Sequence, residues 1–297
     1  MSKVVLIVNP YSSGVTRSRV ADVTAAIARR AEVVVRQTEQ KGHATELARE
    51  AVQDADAVIV FSGDGTYNEA VNGASGDVPF GFLPGGGASV FPRALGLPRD
   101  PVVAAVQALD ALLAGRTTSI SLGKVNGRRF CFSAGIGFDA EAVRRIDSRG
   151  RDRDGRRAGN LTFAATVIGI VFEKRLRMPP QLEIDDFGRA AFVFVANGRP
   201  YTYMGAVPVN VAGRADFAGG LDFVAPRVVT PGLVPRLAFR GFQGRLDGDP
   251  GVLTGHDLDA FHVHCDVATP LQADGEDLGD VIEASFSAER DALAVLV

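Results

Sequence analysis

Ala57-Val58-Ile59-Val60-Phe61-Ser62-Gly63-Asp64-Gly65-Thr66-Tyr67-Asn68-Glu69 is a change of character within thirteen residues. The first five are apolar and mostly β-branched, the composition of a strand covered on both faces of a sheet. A polar loop with two glycines follows, and Tyr67–Ala74 then reads as a helix. The same unit recurs on either side of it. Val4–Val8 leads through Asn9-Pro10-Tyr11-Ser12-Ser13-Gly14 into a helix over Arg17–Arg30. Val33–Val35 precedes a helix over His43–Asp54, and Val78–Leu83 leads through Pro84-Gly85-Gly86-Gly87-Ala88 into Ser89–Leu95. A further helix, Val102–Ala114, is introduced by Asp100-Pro101 as N-cap and first helical residue. Strands and helices in alternation, joined this closely, predict a parallel sheet with right-handed crossovers. Ligands of such sheets sit at the carboxyl ends of the strands.

Near Thr117 the pattern changes. Ile120–Val125, Asn126-Gly127 and Arg129–Ser133 read as a hairpin with a type I′ turn. Leu182–Ile184 and Ala190–Ala196 read as a second hairpin around Asp185–Gly188, and short strands follow at Leu221–Val224, Phe261–Val267 and Ile282–Phe286. This predicts an α/β domain over 1–118 and an all-β sandwich over 119–286, with the apolar end of 287–297 able to close back onto the first domain.

Composition narrows the function. The chain has 297 residues, 46% of them hydrophobic, and a net charge of −3. It can bury a sizeable core, and it lacks the strong positive charge expected of a whole-molecule nucleic-acid binder. Two cysteines, Cys131 and Cys265, suit a reducing compartment rather than a disulfide framework. Val4–Val8 is too short for a secretory or spanning segment, so the expectation is a cytoplasmic protein.

Loops after the first, third and fourth strands lie at one sheet edge and are rich in bare N–H groups and hydroxyls. They suit an anionic group such as a polyphosphate: glycine lets phosphate oxygens reach the backbone, and helix amino termini add partial positive charge. Each loop taken singly is equally readable as a tight turn. No G-x-x-x-x-G-K-[ST] sequence is present.

Ser62-Gly63-Asp64-Gly65-Thr66-Tyr67-Asn68-Glu69 resembles the G-G-D-G-T-x-N-E motif of the diacylglycerol kinase catalytic-domain family, which includes bacterial lipid kinases and sphingosine kinases. Asn68-Glu69 separates it from NAD kinases and phosphofructokinases, which share the first part and a similar α/β fold. Asn9-Pro10, Thr38 with Gly42-His43-Ala44, Leu83-Pro84-Gly85-Gly86, Ala134–Asp139, Val195–Gly198, Gly219–Asp222 and Asp274-Gly275-Glu276 fall in the family's order. The resemblance implies ATP- and Mg²⁺-dependent phosphorylation of a lipid hydroxyl, most directly of diacylglycerol to phosphatidate, in a cleft between two domains. Nucleotide contacts are implied at Asn9, Pro10, Ser12, Ser13, Thr38, Ser62, Gly63, Asp64, Gly65, Thr66, Asn68, Gly86 and Gly87. Asp274 matches the family's proton acceptor, and Asp64 the aspartate tied to phosphate and magnesium.

Some positions depart from the family. Gly86-Gly87-Ala88-Ser89 stands where Gly-Thr-x-Asn is usual, and Ala218 replaces an acid that helps relatives hold a structural Mg²⁺. Gly87, Ser89 and Ala218 leave a non-catalytic nucleotide or lipid sensor open as one alternative, and a sphingoid-base or other small-molecule (NAD-like) kinase is the other. Between Arg144 and Arg177, ten basic and four acidic residues bracket the apolar Leu161–Phe172 stretch. Arg149, Arg151 and Arg153 are expected to meet an anionic membrane surface, and Leu161, Phe163, Ile168 and Phe172 to receive acyl chains. A solvated loop over a core helix is the alternative. The partners expected are thus a lipid substrate at a membrane surface and no nucleic acid; the oligomeric state, homodimer included, is open.

Overall fold

A computed structural model describes residues 1–148, 166, 169, 170, 173, 177–204 and 207–297. Arg149, Arg151, Arg153, Leu161, Phe163, Ile168 and Phe172 lie outside the described residues. The chain divides into two compact units, Met1–Ile120 with Asp291–Val297, and Ser121–Arg290.

The first unit is the strand–helix alternation. Strands β1 (Lys3–Val8), β2 (Glu32–Gln37), β3 (Ala57–Ser62) and β4 (Phe80–Pro84) run parallel in the order β4-β3-β1-β2. Every residue of β3 is buried, as its unbroken apolar run requires. Helices α1 (Arg17–Ala28), α2 (His43–Ala51), α3 (Asp64–Gly73), α4 (Val90–Ala94) and α5 (Pro101–Leu113) connect or follow the strands. The Asp100 carboxylate caps α5, accepting the Val102 and Val103 N–H groups. One core side of the sheet gathers Leu6, Val8, Ile27, Ile59, Phe61 and Leu109, together with Leu296 from the chain's end. That end adds a parallel partner to β4, with Val295 beside Phe80 and the Leu296 N–H bonded to the Phe80 carbonyl at 2.8 Å.

The second unit is β-rich. β5 (Thr118–Val125) and β6 (Arg128–Phe130) form the expected hairpin, with Asn126 and Gly127 at φ 47° and 85°, the signs a type I′ turn demands. β7 (Ser133–Ile136), β8 (Leu182–Ile184), β9 (Gly188–Ala190) and β10 (Val193–Ala196) follow. The stretch read as one strand over Ala190–Ala196 is therefore two, β9 pairing β8 while β10 lies between β7 and β13 (Leu221–Pro226). β14 (Val252–Leu258) flanks β13, and β15 (Ala260–Ala273) and β16 (Glu276–Val295) form a long hairpin whose turn is Asp274-Gly275. The unit also holds α6 (Phe138–Ser148) and a helix over Val234–Phe242, which strand periodicity alone did not announce. Among the described residues, no helix is long and apolar enough to cross a membrane.

Candidate active site

At the carboxyl edge of the first unit's sheet, three loops are bound to one another through their backbones. Gly85 N–H donates to the Ser62 carbonyl at 2.6 Å, Gly14 N–H to the Gly85 carbonyl at 2.7 Å, and Ser12 Oγ to the same carbonyl at 2.8 Å. The glycines divide into two kinds. A Cβ on Gly14 would lie 2.8 Å from the Gly85 oxygen, one on Gly85 2.7 Å from Val15, and one on Gly86 2.7 Å from the Gly63 Cα. These are packing glycines, needed because neighbouring backbone, and at Gly85 the Val15 side chain as well, comes too close for a Cβ. A Cβ on Gly65 would meet nothing within 4 Å, and one on Gly87 only Ser13 Oγ at 4.0 Å. At those two positions the backbone faces open space, as a surface approached by an anion would.

The motif after β3 is mostly helix rather than loop. α3 begins at Asp64 with Gly63 as N-cap, so the Tyr67 start expected from sequence moves back by three residues. Without a side-chain cap there, the first turn's N–H groups carry the positive end of the helix dipole. The hydroxyls of the motif turn inward. Thr66 Oγ1 accepts from Asn9 Nδ2 at 2.9 Å and from Ser62 Oγ at 2.8 Å, and all three groups are wholly or partly buried. Asn68 is 1% exposed and bonded to Asn72 one turn on. Tyr67 Oη, fully buried, lies 2.5 Å from the Ser62 carbonyl and 2.7 Å from that of Leu83. Burial, and then the Asp64 charge, holds this phenol well above its usual range. Thr38 is buried after β2, its N–H bonded to the Val8 carbonyl at 2.9 Å.

Asp64 joins two loops. Its Oδ2 accepts the Val90 N–H at 3.0 Å and its Oδ1 the Phe91 N–H at 2.9 Å, which caps α4 from outside its own sequence. Ser89, at φ 45°, closes the fourth-strand loop instead, its Oγ 3.2 Å from both the nitrogen and the oxygen of Gly86. No group of three or more metal-binding side chains occurs among the described residues. A single carboxylate, Asp64, near the open backbone at Gly65 and Gly87 fits a Mg²⁺ carried in on nucleotide phosphates, and does not fit an all-protein cage.

In the second unit, Asp274 sits at the tip of the β15–β16 hairpin with φ 49° and 5% exposure. Its carboxylate accepts N–H groups from Cys131 at 2.6 Å, Phe132 at 3.0 Å and Ser133 at 3.1 Å, while its own N–H donates to the Ser133 carbonyl at 2.7 Å. Asn197, fully buried, braces that same loop through Nδ2 to the Cys131 carbonyl at 2.8 Å. Two residues before Asp274, Gln272 accepts the Gly275 N–H at 2.9 Å and donates to Asp139 Oδ2 at 2.8 Å. Asp139 and Asn197 lie within the motif stretches Ala134–Asp139 and Val195–Gly198 quoted from sequence, with no role assigned to either, and Gln272 lies in none of them. The structure shows the use of the glycine in the first stretch: a Cβ on Gly135 would lie 2.4 Å from the Asp139 carboxylate.

Residues 3–125 match the family described as diacylglycerol kinase catalytic domain. A diacylglycerol kinase of Bacillus subtilis is 29% identical over 189 residues, an alignment covering 62% of this chain and 55% of that enzyme. The chain thus spans about half the length of that relative. Among solved structures, one of a diacylglycerol kinase from Bacillus anthracis superposes with a TM-score of 0.71 at 21% identity, over 99% of this chain and 96% of that one. An NAD kinase from Archaeoglobus fulgidus in complex with ATP gives 0.54 at 13% identity, over 99% and 93%. At these identities the solved structures speak to the fold alone.

Proposed function

We propose, proceeding from the premise that residues 3–125 belong to the diacylglycerol kinase catalytic-domain family, that the chain transfers the γ-phosphoryl group of ATP to a lipid hydroxyl. Diacylglycerol is the proposed acceptor and phosphatidate the product. The observation that carries this reading is the open backbone at Gly65 and Gly87, beside an α3 amino terminus that has no side-chain cap. The neutral hydroxyls and amide of Ser62, Thr66 and Asn9 bond to one another instead, so main-chain N–H groups are left as the groups best placed to meet phosphate oxygens.

In the proposed reaction, the lipid oxygen forms a bond to the γ-phosphorus as the bridge to the β-phosphate breaks, releasing ADP. The hydroxyl proton passes to the Asp274 carboxylate. An ionised aspartate is purely an acceptor, and the three N–H groups on Asp274 fix the direction in which it can take that proton. Asp64 would hold Mg²⁺ through the nucleotide, where the ion supplies neutralisation of phosphate charge. A lipid acceptor also means that the chain works at a membrane surface.

The test is incubation of the purified chain with γ-labelled ATP, Mg²⁺ and a mixed lipid extract. Labelled phosphatidate is expected. A labelled sphingoid base would change the acceptor, and no labelled lipid at all would remove the reading. Asp274→Asn should lower kcat by about 10²–10⁴-fold, the usual worth of a general base; turnover close to the unsubstituted protein's would take the role from Asp274.

A further inference from the structure

Gly275, in the turn that carries Asp274, is bonded through one buried side chain, Gln272, to a second carboxylate, Asp139. We infer that Asp139 and Gln272 are a positioning pair, holding the Asp274 turn in place by a one-way line of hydrogen bonds that ends on the Asp139 carboxylate. The inference rests on the phosphoryl-transfer reading, with Asp274 as proton acceptor.

The direction of the line follows from the donors. A backbone N–H can only donate, so Gln272 must present Oε1 to Gly275, at 2.9 Å, which turns its NH₂ toward Asp139 Oδ2, at 2.8 Å. Tyr201 Oη reaches the same oxygen at 3.2 Å, and the Ala140 N–H donates to Oδ1 at 2.9 Å. Toward an ionised Asp139, each of these three groups is a donor. Gln272 and Asp139 are 1% and 2% exposed, so water does not substitute for either. The room was made for this group: Gly135 of β7 pairs with Gln272 of β15 in the sheet register, and any side chain at 135 would collide with the carboxylate. β7 also begins at Ser133, which donates to Asp274, so one strand supplies both the glycine that makes room for Asp139 and a donor that holds Asp274.

Protonation would break the charge-assisted line. A proton on Oδ2 displaces the acceptor that faces the NH₂ of Gln272, and an amide flip to receive it would set that NH₂ against the Gly275 N–H; a proton on Oδ1 leaves Oδ2 an uncharged and weaker acceptor. Among the described residues, the groups facing Asp139 are Gln272 from β15, Gly135 from β7 and Tyr201 from the segment after Pro200. Of these only Tyr201 titrates, and burial together with the Asp139 charge pushes its phenol well upward, so it stays protonated and able to donate to the carboxylate. Burial raises the Asp139 carboxyl to about 6, which places the break at mildly acidic pH.

The test compares the full chain with Gln272→Leu, Gln272→Glu, Asp139→Asn and Asp274→Asn, measuring kcat and the KM for ATP from about pH 5 to 8. Gln272→Leu should lose about 10-fold or more in kcat with an unchanged KM for ATP, as misplacement of a reacting group does. Adding Asp139→Asn to it should cost no more than about 2-fold further, since both act through one line. The unsubstituted protein should lose kcat as pH falls through about 6, and Asp139→Asn should lack that limb. Gln272→Glu should show the reverse, weak at about pH 8 and recovering toward about 6, where one shared proton restores a donor between the two carboxylates. Protection of the Gly275 amide from hydrogen exchange, read without any substrate, should fall in Gln272→Leu and in the unsubstituted protein at about pH 5. Gln272 variants within about 2-fold of the unsubstituted kcat, or Gly275 protection indifferent to pH and to Gln272→Leu, would overturn the inference. Failure of the kinase reading is separately visible, as absent lipid phosphorylation or an unimpaired Asp274→Asn, while amide exchange still decides the pairing.

Discussion

Asp139 is a carboxylate that the fold keeps away from water. Its carboxyl, raised by burial to about 6, stands about 2 units above the ordinary aspartate value of about 3.9. Between those two values the folded chain binds more protons than the unfolded one, so stability falls as pH rises through this window and the loss persists at neutral pH. At about 1.4 kcal/mol per unit, the ionised group costs on the order of 3 kcal/mol at pH 7. Asp139→Asn cannot ionise. Its stability relative to the unsubstituted protein should therefore improve by about that amount between about pH 4 and pH 7, measured by urea denaturation at each. A difference that does not change with pH would show that burial has left the carboxyl near its ordinary value. Asp64 shows the opposite economy: its two oxygens replace the missing cap of α4, whose own N-cap Ser89 is left-handed and makes no side-chain bond to the helix.

At the scale of elements, the glycine loops separate into a packed part and an open part, and substitutions should report the division. Gly85→Ala forces a methyl to within 2.7 Å of Val15 and 2.9 Å of the Ser62 oxygen. A clash of that kind typically costs about 1–3 kcal/mol, so its denaturation midpoint should fall clearly. Gly65→Ala and Gly87→Ala add a methyl where there is room, and at Gly65, inside α3, alanine gains up to about 1 kcal/mol of helix propensity. Both should fold at least as well as the parent while binding ATP about 10-fold or more weakly, read by calorimetric titration. Unaltered ATP affinity in both would show that phosphate does not approach there. Glu69 illustrates a motif residue with a structural use: its carboxylate lies 3.3 Å from the Ala44 nitrogen, and its carbonyl receives Thr45 Oγ1 at 2.8 Å, tying α3 to α2. The helix starts were readable to within a few residues. The inward turn of Ser62, Thr66 and Asn68 was not, because a hydroxyl in a glycine-rich loop has the same sequence whether it faces a ligand or a neighbouring loop.

At the scale of the whole molecule, the first unit is assembled from both ends of the chain. Leu293, Val295 and Leu296 are buried to 3% exposure or less. At about 1.5–3 kcal/mol for each buried side chain, they contribute an amount comparable with the entire stability of an ordinary domain. Removing residues 291–297 should therefore leave the first unit unable to hold its fold, seen as lost amide protection in β3 and β4. Retained protection in those strands would mean that α5 and β3 suffice to cover the sheet edge.

What this sequence determined by itself was local and periodic. Runs such as Val4–Val8 and Ala57–Phe61 are apolar at every position and can only be strands covered on both faces, and Asn126-Gly127 can hardly be other than a tight hairpin turn. The family motif was legible for the same reason, since its residues are contiguous. Tertiary structure alone decided that Gln272 stands between Gly275 and an aspartate 133 positions away, and that Cys131, Phe132 and Ser133 hold Asp274. Those meetings depend on the register of β7 against β15. Register is fixed by the summed packing of two strands far apart in the chain, and no short stretch of residues carries it.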